Sequence, residues 1–133
     1  MAFLRAINVV GRRVKMAELR SLFQALGFTD VETFIASGNV IFGARSDDMS
    51  SLERTIENHL CDSLGYEVRT FIRTDAEVAS IHKHKPFADS QLESAVALNI
   101  GFVAAPLRTS HKQALMRLET DLDKFHVQGR EVY

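Results

Sequence analysis

The stretch TFIASGNVIFG, residues 33–43, sets two apolar runs around Ser37-Gly38-Asn39. Residues 31–36 and 40–43 are rich in β-branched and aromatic side chains and read as two strands, so the tripeptide reads as a hairpin turn. Glycine suits such a turn because it often requires a positive φ, where other residues are strained. The carboxyl end repeats the pattern. Aligned without a gap, KFHVQGREVY (124–133) sets Phe125 against Phe34, Gly129 against Gly38, Val132 against Ile41 and Tyr133 against Phe42. Each segment also follows a strand and then a helix. The simplest account is an internal β-α-β-β duplication with a glycine at each hairpin turn. On that account the second copy stops unfinished at Tyr133, as a fragment or a shortened natural variant would.

Working outward, AFLRAIN (2–8) reads as a strand and VVGRRVK (9–15) as a cationic loop. Leu19, Leu22, Phe23 and Leu26 recur at helical spacing, and Gly27 supplies a stop. No Ser, Thr, Asp or Asn stands where this helix should be capped. Ser50 and Glu53 predict a capping box ahead of a helix with Leu52, Ile56, Leu60 and Leu64 on one stripe, closed by Gly65. A strand at 67–73 completes β-α-β-β-α-β. Thr74 and Glu77 predict a second capping box and a short helix that Pro86 ends. Residues 86–95 read as a connector and 96–104 as a strand with Val96, Leu98, Ile100 and Phe102 on one face. Ser110 and Gln113 should cap a helix containing Leu115, Leu118 and Leu122.

The expected fold is therefore α+β. A ferredoxin-like β-α-β-β-α-β unit spans 1–73, followed by a connecting helix and linker at 74–95. A second, truncated β-α-β-β unit at 96–133 packs on the first.

The 133 residues are 46% hydrophobic and 25% charged, enough for one real core. Sixteen Lys and Arg against 17 Asp and Glu leave a net charge of -1, without the basic excess of a dedicated nucleic-acid binder. A single cysteine, Cys61, excludes an internal disulfide. No apolar run approaches the ~18 residues of a membrane helix, and the amino terminus lacks the features of a secretory signal. The expected setting is the cytoplasm, with no membrane partner.

FLRAINVVGRR and the segment that follows it resemble the start of the bacterial domain-of-unknown-function family 1697. That family opens with Leu-Arg-Gly-Ile-Asn-Val-Gly-Gly, followed by a Met-Ala-x-Leu-Arg helix and a Ser-Gly-Asn hairpin. Leu4, Arg5, Ile7, Asn8, Val9 and Gly11 match the opening, and Ser37, Gly38 and Asn39 match the hairpin. GREVY (129–133) resembles a later segment. Ala6 and Val10 stand where the family usually has glycine. Members usually continue into a basic Gly-Arg-Ser-Lys segment and a tryptophan-containing end, so the chain resembles a C-terminally shortened member or fragment. The resemblance implies fold and bacterial provenance, and no activity.

Two clusters are candidates for ligand binding. Ser37, Gly38 and Asn39 can offer backbone amides and two polar side chains to an anion, although the repeat at Gly129 favours the plain turn. Arg5, Arg12, Arg13 and Lys15, with Asn8 among them, form the densest positive cluster, in a strand-to-helix loop of the kind that holds phosphates. The loop lacks the paired glycines and Lys-Ser/Thr of a P-loop. If the first strand runs parallel to the third, as expected here, these clusters lie at opposite ends of a ~20 Å strand.

No catalytic constellation, metal set or cofactor motif emerges. The histidines lack zinc-enzyme spacing, Cys61 has no activating base nearby in sequence, and the carboxylates are dispersed. Apolar residues on both strand faces (Phe3 and Leu4, Phe34 and Ile35, Ile41 and Phe42) predict that a second layer or another chain covers the sheet. The leading expectation is a non-catalytic interaction module, self-associating through an apolar sheet face or an open strand edge. One alternative is single-stranded nucleic-acid binding, with Phe3 or Phe42 stacking on bases and Arg5 and Arg12 on phosphate. The other is a binder or enzyme for a small phosphate or carboxylate ligand.

Overall fold

The computed structural model describes residues 1–9, 11, 13–34 and 38–133. It is an α+β chain that divides into two compact units, Met1–Ser80 and Ile81–Tyr133.

The first unit runs β1 (Ala2–Leu4), α1 (Met16–Ala25), β2 (Thr29–Phe34), β3 (Asn39–Gly43), α2 (Met49–Leu64), β4 (Thr70–Ile72) and the start of α3 (Asp75–Lys83). Its sheet has the order β2-β3-β1-β4, with every neighbouring pair antiparallel. The expected parallel pairing of the first and third strands is therefore wrong: Ala2 faces Val40 in an antiparallel pair. The reason is topological. The α1 crossover makes β1 and β2 parallel with a gap between them, and a hairpin strand filling that gap must oppose both.

Both long helices cover one face of this sheet. Leu19 and Phe23 of α1 and Leu52, Ile56 and Leu60 of α2 are buried with Ala2, Leu4, Val40 and Ile72. Phe42 joins the core as well, its ring 5.5 Å from Phe23 and 4.5 Å from Phe28. Each such side chain contributes roughly 1.5–3 kcal/mol by leaving water.

Strand β1 is shorter than the predicted 2–8 because Ala6 adopts φ +61, a left-handed conformation that ends the extended run. An L-residue pays about 1–2 kcal/mol there, whereas glycine loses about 0.5–1 kcal/mol through its freer unfolded chain. Ala6→Gly should therefore raise stability by about 0.5–1 kcal/mol. It should read as a higher urea midpoint at unchanged m-value; a lower midpoint would show that the methyl group is needed for packing.

Helix signals hold where backbone geometry demands them. Gly27 (φ +78) and Gly65 (φ +77) stop α1 and α2. The Thr74–Glu77 box forms, with Thr74 N donating to Glu77 Oε2 (2.8 Å) and Glu77 N to Thr74 Oγ1 (3.2 Å). Lys15 precedes α1 with no side-chain cap, as expected. The cap of α2 is Asp48 rather than Ser50: Asp48 Oδ1 accepts from Ser51 N at 3.0 Å. Asp48 is an equally strong capping type placed two residues earlier.

Glu53 is thereby released for a different task. Its Oε1 accepts from Ile72 N at 2.8 Å, and Glu57 Oε1, one turn on, accepts from Thr70 N at 2.9 Å. Since β4 pairs with β1 through residues 69, 71 and 73, these amides point away from the sheet. Two glutamates at i and i+4 of α2 thus close the exposed edge of β4. Arg69 pairs with Glu57 at 3.3 Å.

The second unit carries the end of α3, then α4 (Asp89–Ser94), β5 (Gly101–Phe102), α5 (Thr109–Met116), β6 (Val127–Gln128) and β7 (Glu131–Val132). Its sheet has the order β5-β7-β6, again antiparallel throughout. The connector at 86–95 contains a helix, α4, whose Gln91 side chain accepts from Ala88 N at 3.0 Å. The strand predicted at 96–104 shrinks to two residues, because β7 offers partners only to Gly101 and Phe102. Ser110 is not a cap: Arg108 holds that place without a side-chain bond, and α5 ends before Leu118 and Leu122, which stay exposed. His126 and Tyr133 exchange backbone bonds of 2.9 and 2.8 Å, and the His84 ring lies 5.2 and 5.0 Å from their rings.

Candidate functional site

The candidate residues gather where β1 leaves the sheet and β3 enters it. Arg5 N continues the ladder, donating to Arg69 O at 2.8 Å, before Ala6 turns the chain. Ile7 then drops into the core, 1% exposed, and Tyr66 Oη donates to its carbonyl at 3.4 Å. Asn8 Oδ1 accepts from Val14 N at 2.9 Å, closing the loop that Gly11 (φ +79) bends. Gly38 is buried with φ +85, and a Cβ there would overlap Ile7 Cγ2. The residue that leads into the loop, Ile7, therefore lies against the turn, which is not a strand length away. Antiparallel β1 and β3 set the end of one beside the start of the other.

Arg5, Arg13 and Lys15 are exposed on this rim and enter no ion pair among the described residues. Asn39 is half-buried in β3, opposite Phe34. Arg12 and Ser37 lie outside the described residues, as do Val10, Ile35 and Ala36. Asn8 is a loop staple and Gly38 a packing glycine. The chemistry left to the rim is attraction of anions by exposed cations.

Sequence reasoning missed Arg73. It is fully buried at the end of β4, with Nη1 donating to the Ile72 carbonyl at 2.8 Å. Its backbone and Met1 exchange two bonds, Arg73 N to Met1 O (3.0 Å) and the terminal ammonium to Arg73 O (2.8 Å). Burial pushes the Met1 amine below its usual pKa of 8.0, partly opposed by Asp75 and Glu77. A cation closing the β-prone run Thr70-Phe71-Ile72 was the available signal, since an arginine there must find partners.

Phe42 is half-buried, its ring packed against Phe23 and Phe28. Cys61 is half-buried on α2. His59 and His84 each have a buried Nε2 without a hydrogen-bond partner. Among the described residues, no group of three or more His, Cys, Asp or Glu side chains is placed to hold a metal ion, and no helix is long and apolar enough to cross a membrane.

The second unit presents a different kind of surface. A groove of about 620 Å³ is lined by Phe87, Leu92, Leu98, Leu122, Phe125 and Val132, among others. Val96 and Leu122 are almost wholly exposed, and Leu98, Ile100 and Leu118 are 47%, 37% and 66% exposed. The apolar alternation at 96–100 was legible in sequence; its exposure was not.

A family model described as "Protein of unknown function (DUF1697)" matches residues 1–133. No curated protein matches the chain. Among solved structures, the conserved bacterial protein SP0830 from Streptococcus pneumoniae is similar, with a TM-score of 0.73 and 19% identity. The match covers 98% of this chain and 73% of that one.

Proposed function

The chain belongs to the DUF1697 family, and from that premise we propose that it works as a non-catalytic interaction module in the bacterial cytoplasm. On this reading its first unit is a ferredoxin-like β-α-β-β-α-β scaffold and its second a β-α-β-β repeat. Support for the repeat comes from connectivity: β5-β7-β6 repeats β1-β3-β2 in order and direction, and Gly38 and Gly129 both take positive φ. The observation that carries the function is the band of exposed apolar side chains at Val96, Leu98, Ile100 and Leu122 beside the groove. A polar loop would leave nothing there to bind, whereas contiguous exposed apolar surface marks an interaction site.

With no partner present, this surface should pair with itself. Sedimentation equilibrium should show association rising with concentration, and Leu98→Asp with Ile100→Lys should weaken it at least tenfold. A monomer throughout the accessible concentration range would remove the proposal.

A second reading has one observation in its favour, the packing of Ile7, just ahead of the cationic loop, against Gly38. There Arg5, Asn8, Arg13, Lys15 and Asn39, with Arg12 and Ser37 in the same segments, would attract a small phosphate or carboxylate. Arg13→Ala should then lower affinity for inorganic phosphate several-fold by calorimetry. Absence of phosphate binding to the unaltered chain at low salt would sink it.

A further inference from the structure

In the second unit, His84 carries a buried polar atom that packing does not explain. It follows the last turn of α3, its N donating to Ile81 O at 3.2 Å. The ring is half-buried, and its Nε2 is closed off from water with no hydrogen-bond partner. The rings packed on it are those of His126 and Tyr133, with centres 5.2 and 5.0 Å away. These two residues are held side by side. They exchange backbone bonds of 2.9 and 2.8 Å one rung beyond the Val127–Val132 pair of the β6-β7 hairpin, so both side chains leave the same face of the ladder. A phenylalanine at position 84 would fill a ring stack without stranding a nitrogen. An imidazole nitrogen deprived of water with nothing in exchange is a cost that calls for a partner.

The spacing of the two imidazoles fits a shared metal ion. A zinc–nitrogen bond of ~2.1 Å sets an imidazole centre ~3.2 Å from the ion, and two such rings at a tetrahedral angle have centres ~5 Å apart. Neutral imidazole is the commonest protein metal ligand and suits zinc, copper and nickel. Tyr133, only 7% exposed, sets a third ring against the pair, its centre 6.2 Å from that of His126. We propose that His84 and His126 together bind a divalent transition-metal ion, with Tyr133 walling the site. No third His, Cys, Asp or Glu joins them among the described residues, so the site is open, with positions left for water or an added ligand.

The probe is zinc chloride, titrated by calorimetry into the full 133-residue chain without a histidine tag. Expected are one saturable equivalent and at least tenfold weaker binding for His84→Phe and for His126→Phe, which keep an aromatic ring in the cluster. His82→Ala and His111→Ala, both at exposed positions, should bind zinc as the unaltered chain does. Zinc should also raise the melting temperature of the unaltered chain and of neither phenylalanine variant. The proton NMR spectrum gives a readout that needs no variant: zinc should shift the imidazole signals of His84 and His126 and leave those of His82 and His111 in place. No zinc binding at millimolar concentration, binding that both phenylalanine variants retain, or shifts confined to His82 and His111 would overturn the site.

Discussion

Gly38→Ala should cost about 3 kcal/mol of stability, although it adds a single methyl group at a position that resembles a ligand-binding turn. Two costs combine. The residue sits at φ +85, where an L side chain pays about 1–2 kcal/mol. The new Cβ would also overlap Ile7 Cγ2. Ile7 is 1% exposed and cannot swing into solvent, so the clash is relieved by moving packed neighbours, at about 1–3 kcal/mol. A double-mutant cycle separates the two. In an Ile7→Ala background the added cost of Gly38→Ala should fall to the backbone share, a coupling of about 1–3 kcal/mol. Asn39→Ala, which leaves that contact alone, should cost under about 1 kcal/mol. Equal small losses at 38 and 39 would contradict the packing account and return the tripeptide to the list of ligand sites.

The second large effect lies at the β4 edge of the sheet. Removing both carboxylates with Glu53→Ala and Glu57→Ala should destabilise the chain by about 3 kcal/mol or more. Each leaves a backbone amide of β4 without its charged acceptor, and such bonds contribute roughly 1.5–3 kcal/mol. Thr70 is only 3% exposed, so water replaces its acceptor poorly. Glu→Gln at both sites keeps a carbonyl acceptor and should lose less than half as much. The alanine pair should also expose a strand edge that templates aggregation. Urea midpoints, amide exchange at Thr70 and Ile72, and light scattering on standing would register all three effects. A shift below about 1 kcal/mol for the alanine pair would show that the edge needs no cover.

These results separate what the residues announce from what they conceal. Gly27, Gly65 and the Thr74–Glu77 box act through local backbone geometry, so their signals survive translation into structure. Thr74 and Glu77 stand at the spacing that lets each satisfy the other. Glu53 stands at the same spacing from Ser50, yet its carboxylate is drawn to Ile72 N, nineteen residues away. A tertiary acceptor shortage on β4 outweighed the local motif, and nothing near Ser50 records it.

Ala6 is a similar case. An alanine within an apolar alternation reads as strand, and only the need to drop Ile7 beneath Gly38 forces the left-handed turn. The glycine usual at that place in the family carried the hint. The candidate rim was legible residue by residue, but its assembly depended on strand direction, and the hairpin's insertion between β1 and β2 fixes that direction only through the order of the whole sheet. Arg73 and the exposed band at 96–100 depend on burial, which alternation alone leaves undetermined.

The interaction surface is tested most directly by amide hydrogen exchange of the unmodified chain, followed at residues 96–100 across a hundredfold range of protein concentration. Exchange there should slow as concentration rises, while the amides of α1 stay unchanged. Exchange at 96–100 that stays fast and independent of concentration would contradict the account.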